Sequence, residues 1–517
     1  MGFTAYRHEK LDRYRLGCLG PFSGTYIIAQ NTLNRSFSGS NFGPAEHSLI
    51  TQLSGGGDGR ITLDGATGLN KYLSAPYPRD VLAYSSSTVS DISPDAFAHL
   101  LDIMGHAQSS RRNYGEWLAQ LRHRLRAAFS IDDDAQIIFA PSGTDLEYVA
   151  LAAVMGKGAN GIHNVLLGAD EIGSGCVHSA IGRYFATETA LGATVEPAAP
   201  VPGMGPISLV DIPVRCGAGE ARASDTVTMH MAQEIEHARR AGKHCLVHGV
   251  HGSKTGLVLP GLADIKRMQE RFIGDVTFVI DACQARITSE AIAQYLSVGA
   301  IVLMTGSKFI GAPPFNGWAI VPGQMMQAAQ PLPSGFETIF RRAEWPLDWS
   351  GADELPDTEN LSLALRLEAA VFELERFQRI DIDQVAAILA AFERGLTRSL
   401  IAPLGARRIV PGGVAENMPI EMRTLATLDV SGLPGLATFD EAQAVHKELA
   451  LAGVRLGQPV KCVAAPEGWG GTLRVGLSMP QIITWAQQSI DQTEIDIAKD
   501  MTVISRAVQD TLATELV

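Results

Sequence analysis

The chain has 517 residues, 46% hydrophobic and 19% charged, the profile of a well-cored globule and not of a disordered polymer. That length suits about three domains, or one large domain carrying a smaller one. A formal charge of −13, with no basic run anywhere, argues against a nucleic-acid or anionic-membrane partner.

Six cysteines without a CxxC pair argue against a disulfide framework and suit a reducing compartment. The polar start MGFTAYRHEKLDRYRLG has no signal-peptide core, and no stretch of ~18 apolar residues would span a membrane. A cytoplasmic, soluble protein is expected.

Residues 1–60, rich in Gly, Ser and Asn and ending in LSGGGDGR, predict an irregular N-terminal extension. From Ile61 the texture changes. Leu118, Leu121, Leu125 and Phe129 recur at helical spacing within 117–129, and QIIFA (136–140) predicts a buried strand. PSGTDLEYVALAAVMG then opens a helix on Ser, Thr and Asp. Strands are expected at 164–170, 207–214, 244–250, 276–282 and 300–306, with helices at 176–186, 226–241 and 261–272. This alternation argues for an α/β fold, a mainly parallel sheet covered on both faces, with ligands beyond the carboxyl ends of its strands. After about Ile320 the pattern changes to helices at 361–377 and 383–400 and strands at 424–430 and 472–478. The expected division is an extension (1–60), a large domain (61–345) and a smaller C-terminal α+β domain (346–517), with no internal repeat.

Four strand ends carry chemistry. Lys308, in MTGSKFIGAPPFNG, follows a strand among small residues and can condense with a carbonyl; an ordinary loop lysine is the competing reading. Asp281, in FVIDACQAR, ends a strand after three apolar residues, where a carboxylate needs a cationic partner such as a protonated pyridine nitrogen, or else caps the next helix. Gln284 could donate into the same space. Ser142, Gly143 and Thr144 open a helix with free N–H groups and hydroxyls, an anion cradle or a plain N-cap. Thr305 and Ser307 could add donors to a phosphate held in that cradle. His178 can stack on a flat heteroaromatic ring, or simply sit at a helix start; Glu171 and Ser174 could belong to the same wall. An aldehyde, a pyridine nitrogen, a phosphate and a flat ring together specify pyridoxal 5′-phosphate.

Other chemistries fit less well. GSGCVH (173–178) lacks the third glycine of a dinucleotide fingerprint, and no GxxxxGK[ST] loop occurs. His244, His248 and His251 read as core and loop histidines, and no metal site is expected.

With these residues in place, the chain from Ile61 to Trp485 resembles fold-type I pyridoxal-phosphate-dependent transferases of the class V aminotransferase and cysteine desulfurase branch. ITLDGATG (61–68) resembles an early segment of that branch, and AAFSIDDDAQIIFAPSGTDLEYVAL its helix, strand and phosphate loop. HGSKTGLVLPGLADI (251–265) is similar to the strand-end loop before a TG turn, DACQA to the Asp–x–x–Gln motif, and LRVGLS (473–478) to a late strand with an arginine. The step from Asp281 to Lys308 also fits. The resemblance implies a seven-stranded-type sheet, substrate carboxylate binding by Arg474, and Ser253 near the cofactor's phenolic oxygen. It places Gly65, Ala66 and Thr67 on the substrate side. It further implies a homodimer in which Thr358, in DTENLS, reaches the neighbour's phosphate.

Met479–Pro480 after LRVGLS departs from the family's usual continuation. Cys462 stands where a desulfurase-type cysteine would be sought, without a clean match of frame. An amino-acid substrate is therefore expected, with an aminotransferase as the main reading and a cysteine desulfurase-like or β-eliminating C–S lyase as the alternative. A noncatalytic pyridoxal-phosphate-binding module is a third reading.

Overall fold

In the computed structural model, which describes residues 42–107, 113–169, 171–172, 175–411, 419–466 and 468–515, the apolar runs become one central sheet. In chain order the strands are β1 (Leu82–Tyr84), β2 (Gln136–Ala140), β3 (Ile162–Leu167), β4 (Ile207–Ile212), β5 (His244–His251), β6 (Val258–Leu259), β7 (Val276–Asp281), β8 (Ile301–Thr305) and β9 (Gly317–Val321). The order across the sheet is β2-β9-β8-β7-β5-β3-β4, with β6 paired to β5. From β8 to β4 every neighbour along that path is parallel; β9 runs antiparallel to both β2 and β8.

β3, β5, β8 and β9 are buried at every position, as in a sheet covered on both faces, and in β3 and β5 that burial takes in His163, Asn164, His244, His248 and His251. Their side chains still sort by alternation. Ile137, Phe139, Phe278, Ile280, Val302 and Met304 join one core. Ile138, Ala140, Val279, Ile301 and Leu303 join the other, on the opposite face. β9 is not foreseen from the sequence: GWAIV is short and follows a Pro-rich loop.

The helices are α1 (Pro44–Leu53), α2 (Pro94–Ala107), α3 (Tyr114–Phe129), α4 (Leu146–Val154) and α5 (Cys176–Ser179), followed by further helices that cover the sheet. α3 starts where Asn113 accepts the Glu116 N–H and ends at Ser130, whose φ of 52° is left-handed. Two expectations are corrected. The segment before Ile61 is not all loop, because α1 buries Leu49, Ile50 and Leu53 in the core. The helix expected over 176–186 is one turn only, since Gly182 at φ +66° is already past its end.

The C-terminal part has helices at Leu361–Phe377 and Ile382–Gly395, the second running into a π-turn at Leu396–Ile401. A three-stranded antiparallel sheet joins Arg407–Ile409, Leu425–Asp429 and Thr472–Gly476. β1 pairs in parallel with Val454–Leu456, so the loop after β1 reaches the same end of the fold as the late strands. Among the described residues no helix is long and apolar enough to cross a membrane.

Candidate active site

The carboxyl ends of β2, β7 and β8 open onto a cavity of about 220 Å³. Ser142, Gly143 and Thr144 come from the turn after β2, Asp281 from the last position of β7, and Thr305, Ser307 and Lys308 from the end of β8 and the loop beyond it. Arg474, on the strand Thr472–Gly476, closes the far side. Eight of the residues singled out in the sequence thus meet in one space.

The anion cradle is built at the start of α4. Ser142 Oγ donates to the Asp145 carboxylate at 2.6 Å, and burial pushes that carboxyl up to about 7 against this hydrogen bond. A side chain at Gly143 would bring a Cβ to 3.0 Å from the Thr305 methyl, a tight contact between the turn after β2 and the end of β8. Arg60, from the glycine-rich segment after α1, donates to Thr144 Oγ1 at 3.1 Å and to Ser142 Oγ at 3.3 Å.

The lysine turn is set by a close approach. The Gly306 N–H donates to Asn316 Oδ1 at 2.7 Å, and a Cβ there would lie 2.4 Å from that oxygen. Among the described residues the Lys308 ammonium has neither a hydrogen bond nor an ion pair. Asp281 accepts the Cys283 N–H at 2.9 Å and has no counter-cation among the described residues. Beside it Glu147, on the first turn of α4, lines the cavity and is 2% exposed. Its Oε2 lies 3.4 Å from His248 Nε2. Burial, then the Asp281 charge, pushes the Glu147 carboxyl up, and burial lowers His248 to about 4, so the pair is neutral.

At the other end Arg474 donates to the carbonyls of Gln458 (2.5 Å), Lys254 (3.0 Å) and Ser87 (3.3 Å) and to Thr88 Oγ1 (3.1 Å). No carboxylate forms an ion pair with it among the described residues. Burial lowers this guanidinium to about 10 and, with Arg474 beside it, lowers Lys254 to about 8. A buried guanidinium that has only neutral acceptors is suited to a ligand carboxylate.

Several expected site residues lie elsewhere. His178 is exposed and does not line the cavity: in the single turn of α5, Cys176 and Ser179 share the inward face and Val177 and His178 point out. Cys176 forms that wall instead. Gln284 is buried but spent, its amide donating to the Ser87 carbonyl (3.0 Å) and its oxygen accepting from Arg286 (2.8 Å). Ser253 donates to Glu171 at 2.7 Å, within a buried knot that also pairs Glu171 with Arg215. Gly65, Ala66 and Thr67 are exposed and wrap the Asp64 carboxylate, which accepts both the Thr67 N–H and its hydroxyl at 2.9 Å. Thr358 is exposed and outside this cavity. Ser174 falls outside the described residues. Arg60, Tyr72, Glu147 and Lys254, which no sequence motif singles out, also line the cavity wall. Glu147 carries a local signal, three residues after Thr144 and therefore on the same helical face.

No family model matches the chain, and no curated protein matches it by sequence. Solved structures do match. A mutant of the protein C-DES, with glycine covalently linked to its PLP cofactor, aligns with a TM-score of 0.52 at 15% identity, over 81% of this chain and 96% of that one. The apo cysteine desulfurase from Thermococcus onnurineus NA1 gives 0.50 at 15% identity, over 83% and 95%. The ureidoglycine-glyoxylate aminotransferase from Bacillus subtilis gives 0.50 at 13% identity, over 85% and 99%. The chain has their fold, that of the fold-type I PLP-dependent transferases.

Proposed function

We propose that the chain binds pyridoxal 5′-phosphate through Lys308 and acts, as an aminotransferase, on an amino acid held at Arg474. The observation that carries this reading is the meeting, in one cavity, of a lysine and an aspartate that form no ion pair among the described residues with an anion cradle. The residues fit the cofactor: Ser142–Thr144 for the phosphate, Asp281 for the ring nitrogen, Lys308 for the aldehyde. Bound there, the cofactor supplies an electron sink for charge developing at the substrate Cα. Asp281 keeps a proton on the ring nitrogen, Lys308 takes and returns the Cα proton, and Arg474 donates to the substrate carboxylate. A homodimer in a cytoplasmic setting completes the reading, with the exposed Thr358 offered to a second copy.

The second reading, a C–S lyase, is supported by the fold's likeness to C-DES and to a cysteine desulfurase. A persulfide-forming desulfurase needs a protein thiolate. Burial pushes the Cys462 thiol up to about 12, and raises Cys176 and Cys283 well above the usual thiol range. These thiols favour amino transfer, or an elimination that needs no protein thiol.

A product screen on the holo-protein, measuring keto acid, ammonia and sulfide in parallel across amino acids, decides between the readings. Keto acid without sulfide is expected. Stoichiometric sulfide from cysteine would overturn the aminotransferase, and an unchanged spectrum with every amino acid would leave a noncatalytic binding module. In the same assay Cys462→Ala should keep turnover within about twofold of the parent, because a buried neutral thiol contributes no nucleophile. A tenfold loss with cofactor still bound would restore a role for that sulfur.

A further inference from the structure

Four cations line the cavity: Arg60, Lys254, Lys308 and Arg474. Lys254 and Arg474 belong to the substrate end, where the Arg474 guanidinium donates to the Lys254 carbonyl at 3.0 Å. Lys308 is the amine that the cofactor reading assigns to the aldehyde. Only Arg60 stands against the hydroxyls of the anion cradle.

We propose that Arg60, delivered by the glycine-rich segment of the same chain, is a direct ligand of the cofactor phosphate; the proposal rests on the pyridoxal-phosphate reading of the site. Its guanidinium is already aimed. One edge is clamped by Asp58, with Nε to Oδ1 at 2.8 Å and Nη2 to Oδ2 at 2.7 Å. The outer nitrogens face Thr144 and Ser142. The planar group sits between two aromatic rings, its central carbon 4.9 Å from the centroids of both Phe185 and Phe315. A fork fixed on one edge and stacked on both faces loses little freedom when its outer edge takes an oxyanion.

Asp58 and Asp145 both lie near Arg60, and among the described residues no other basic side chain donates to the hydroxyls of Ser142 and Thr144, so Arg60 is the cation that a phosphate seated on Ser142–Thr144 would meet. The segment that brings Arg60 is itself anchored. Arg366, fully buried, donates to the carbonyls of Gly55 (2.6 Å), Gly56 (3.1 Å) and Phe315 (2.6 Å). It thereby fixes both the chain leading to Arg60 and one of the rings that hold it.

The test compares two ligands that differ only in the phosphate. Apo full-length protein is titrated with pyridoxal 5′-phosphate and, separately, with pyridoxal, followed by intrinsic tryptophan fluorescence and visible absorbance. Arg60→Met should weaken pyridoxal 5′-phosphate by about ten- to a hundred-fold and leave pyridoxal unchanged. Arg60→Lys should fall between, since it keeps the charge without the fork. Inorganic phosphate should compete with pyridoxal 5′-phosphate in the parent and poorly in Arg60→Met. Equal weakening of both ligands, or no weakening of either, in Arg60→Met would overturn the proposal. If Arg60→Met melts early, undiminished phosphate discrimination in Arg60→Lys would do so. A parent protein that binds neither ligand overturns the cofactor reading itself, a result distinct from the loss of discrimination.

Discussion

Lys308→Ala should lose the absorbance band of the lysine-linked cofactor and nearly all turnover while the fold stays intact. The structure separates these effects. The Lys308 backbone is held by groups that the substitution does not touch: Ser90 Oγ donates to its carbonyl at 3.2 Å, the Gly306 N–H to Asn316 at 2.7 Å, and the Met479 N–H to the Phe309 carbonyl at 2.7 Å. The ammonium has no protein partner among the described residues, so removing it leaves no buried group unsatisfied. Thermal melts of parent and variant should superimpose. The phosphate cradle lies on another strand end, so the cofactor should still bind, without its covalent link. Loss of the proton-transferring amine alone should cost on the order of 10²–10⁴-fold in turnover. Borohydride reduction of the parent followed by peptide mapping should place the label on residue 308. Full activity in Lys308→Ala, or a label on another lysine such as Lys254, would end the assignment.

Lys254 is the right competitor to name, because burial and Arg474 lower its ammonium to about 8 and it lines the same cavity. Its position after β5 puts it beside Arg474, whose guanidinium donates to the Lys254 carbonyl at 3.0 Å. A labelling experiment therefore separates two lysines that pKa alone would not.

What could be read from the sequence was whatever depends only on strand order. In a parallel sheet the residues that follow each strand converge on one edge, and so Ser142–Thr144, Asp281 and Lys308 could be brought together from their local patterns alone. Arg474 followed from the resemblance of its strand. Two of the misses share a physical cause, in partners remote along the chain. Gln284 lies in the expected motif, but Arg286, reaching Thr424 at 2.8 Å and Ser86 at 2.8 Å, takes up its oxygen. Ser253 is captured by Glu171, 82 residues away. No local pattern announces such a partner.

His178 failed for a different reason. The pattern CVHSAIGRYFA suggests a continuous helix, in which its ring could face the ligand. The helix stops after one turn, and the inward position goes to Cys176. Arg60 was hidden by its company. Four glycines in LSGGGDGRIT read as loop, and loops bordering a sheet are where binding groups are delivered. Its Asp58 partner two residues earlier was the available clue.

The aspartate gives the sharper test of the chemistry. Asp281→Asn should keep the cofactor and the fold yet lose turnover on the order of 10³-fold. An asparagine oxygen can still accept the Cys283 N–H that Asp281 now takes at 2.9 Å, so the end of β7 should not move. What disappears is the negative charge opposite the ring nitrogen, and with it the hold on that nitrogen's proton. Neighbouring groups offer no substitute. Glu147 is the nearest other acid on the cavity wall, but its burial, reinforced by the Asp281 charge, keeps it protonated. His248 beside it is held neutral by burial. Neutralising residue 281 removes one of the two causes that raise Glu147 and leaves the larger, so Glu147 should stay uncharged at neutral pH. The expected signature is thus a variant that binds cofactor, shows an altered visible spectrum and melts like the parent, but turns over amino acids on the order of 10³-fold more slowly. Parent-like turnover in Asp281→Asn would mean that no protonated ring nitrogen is used.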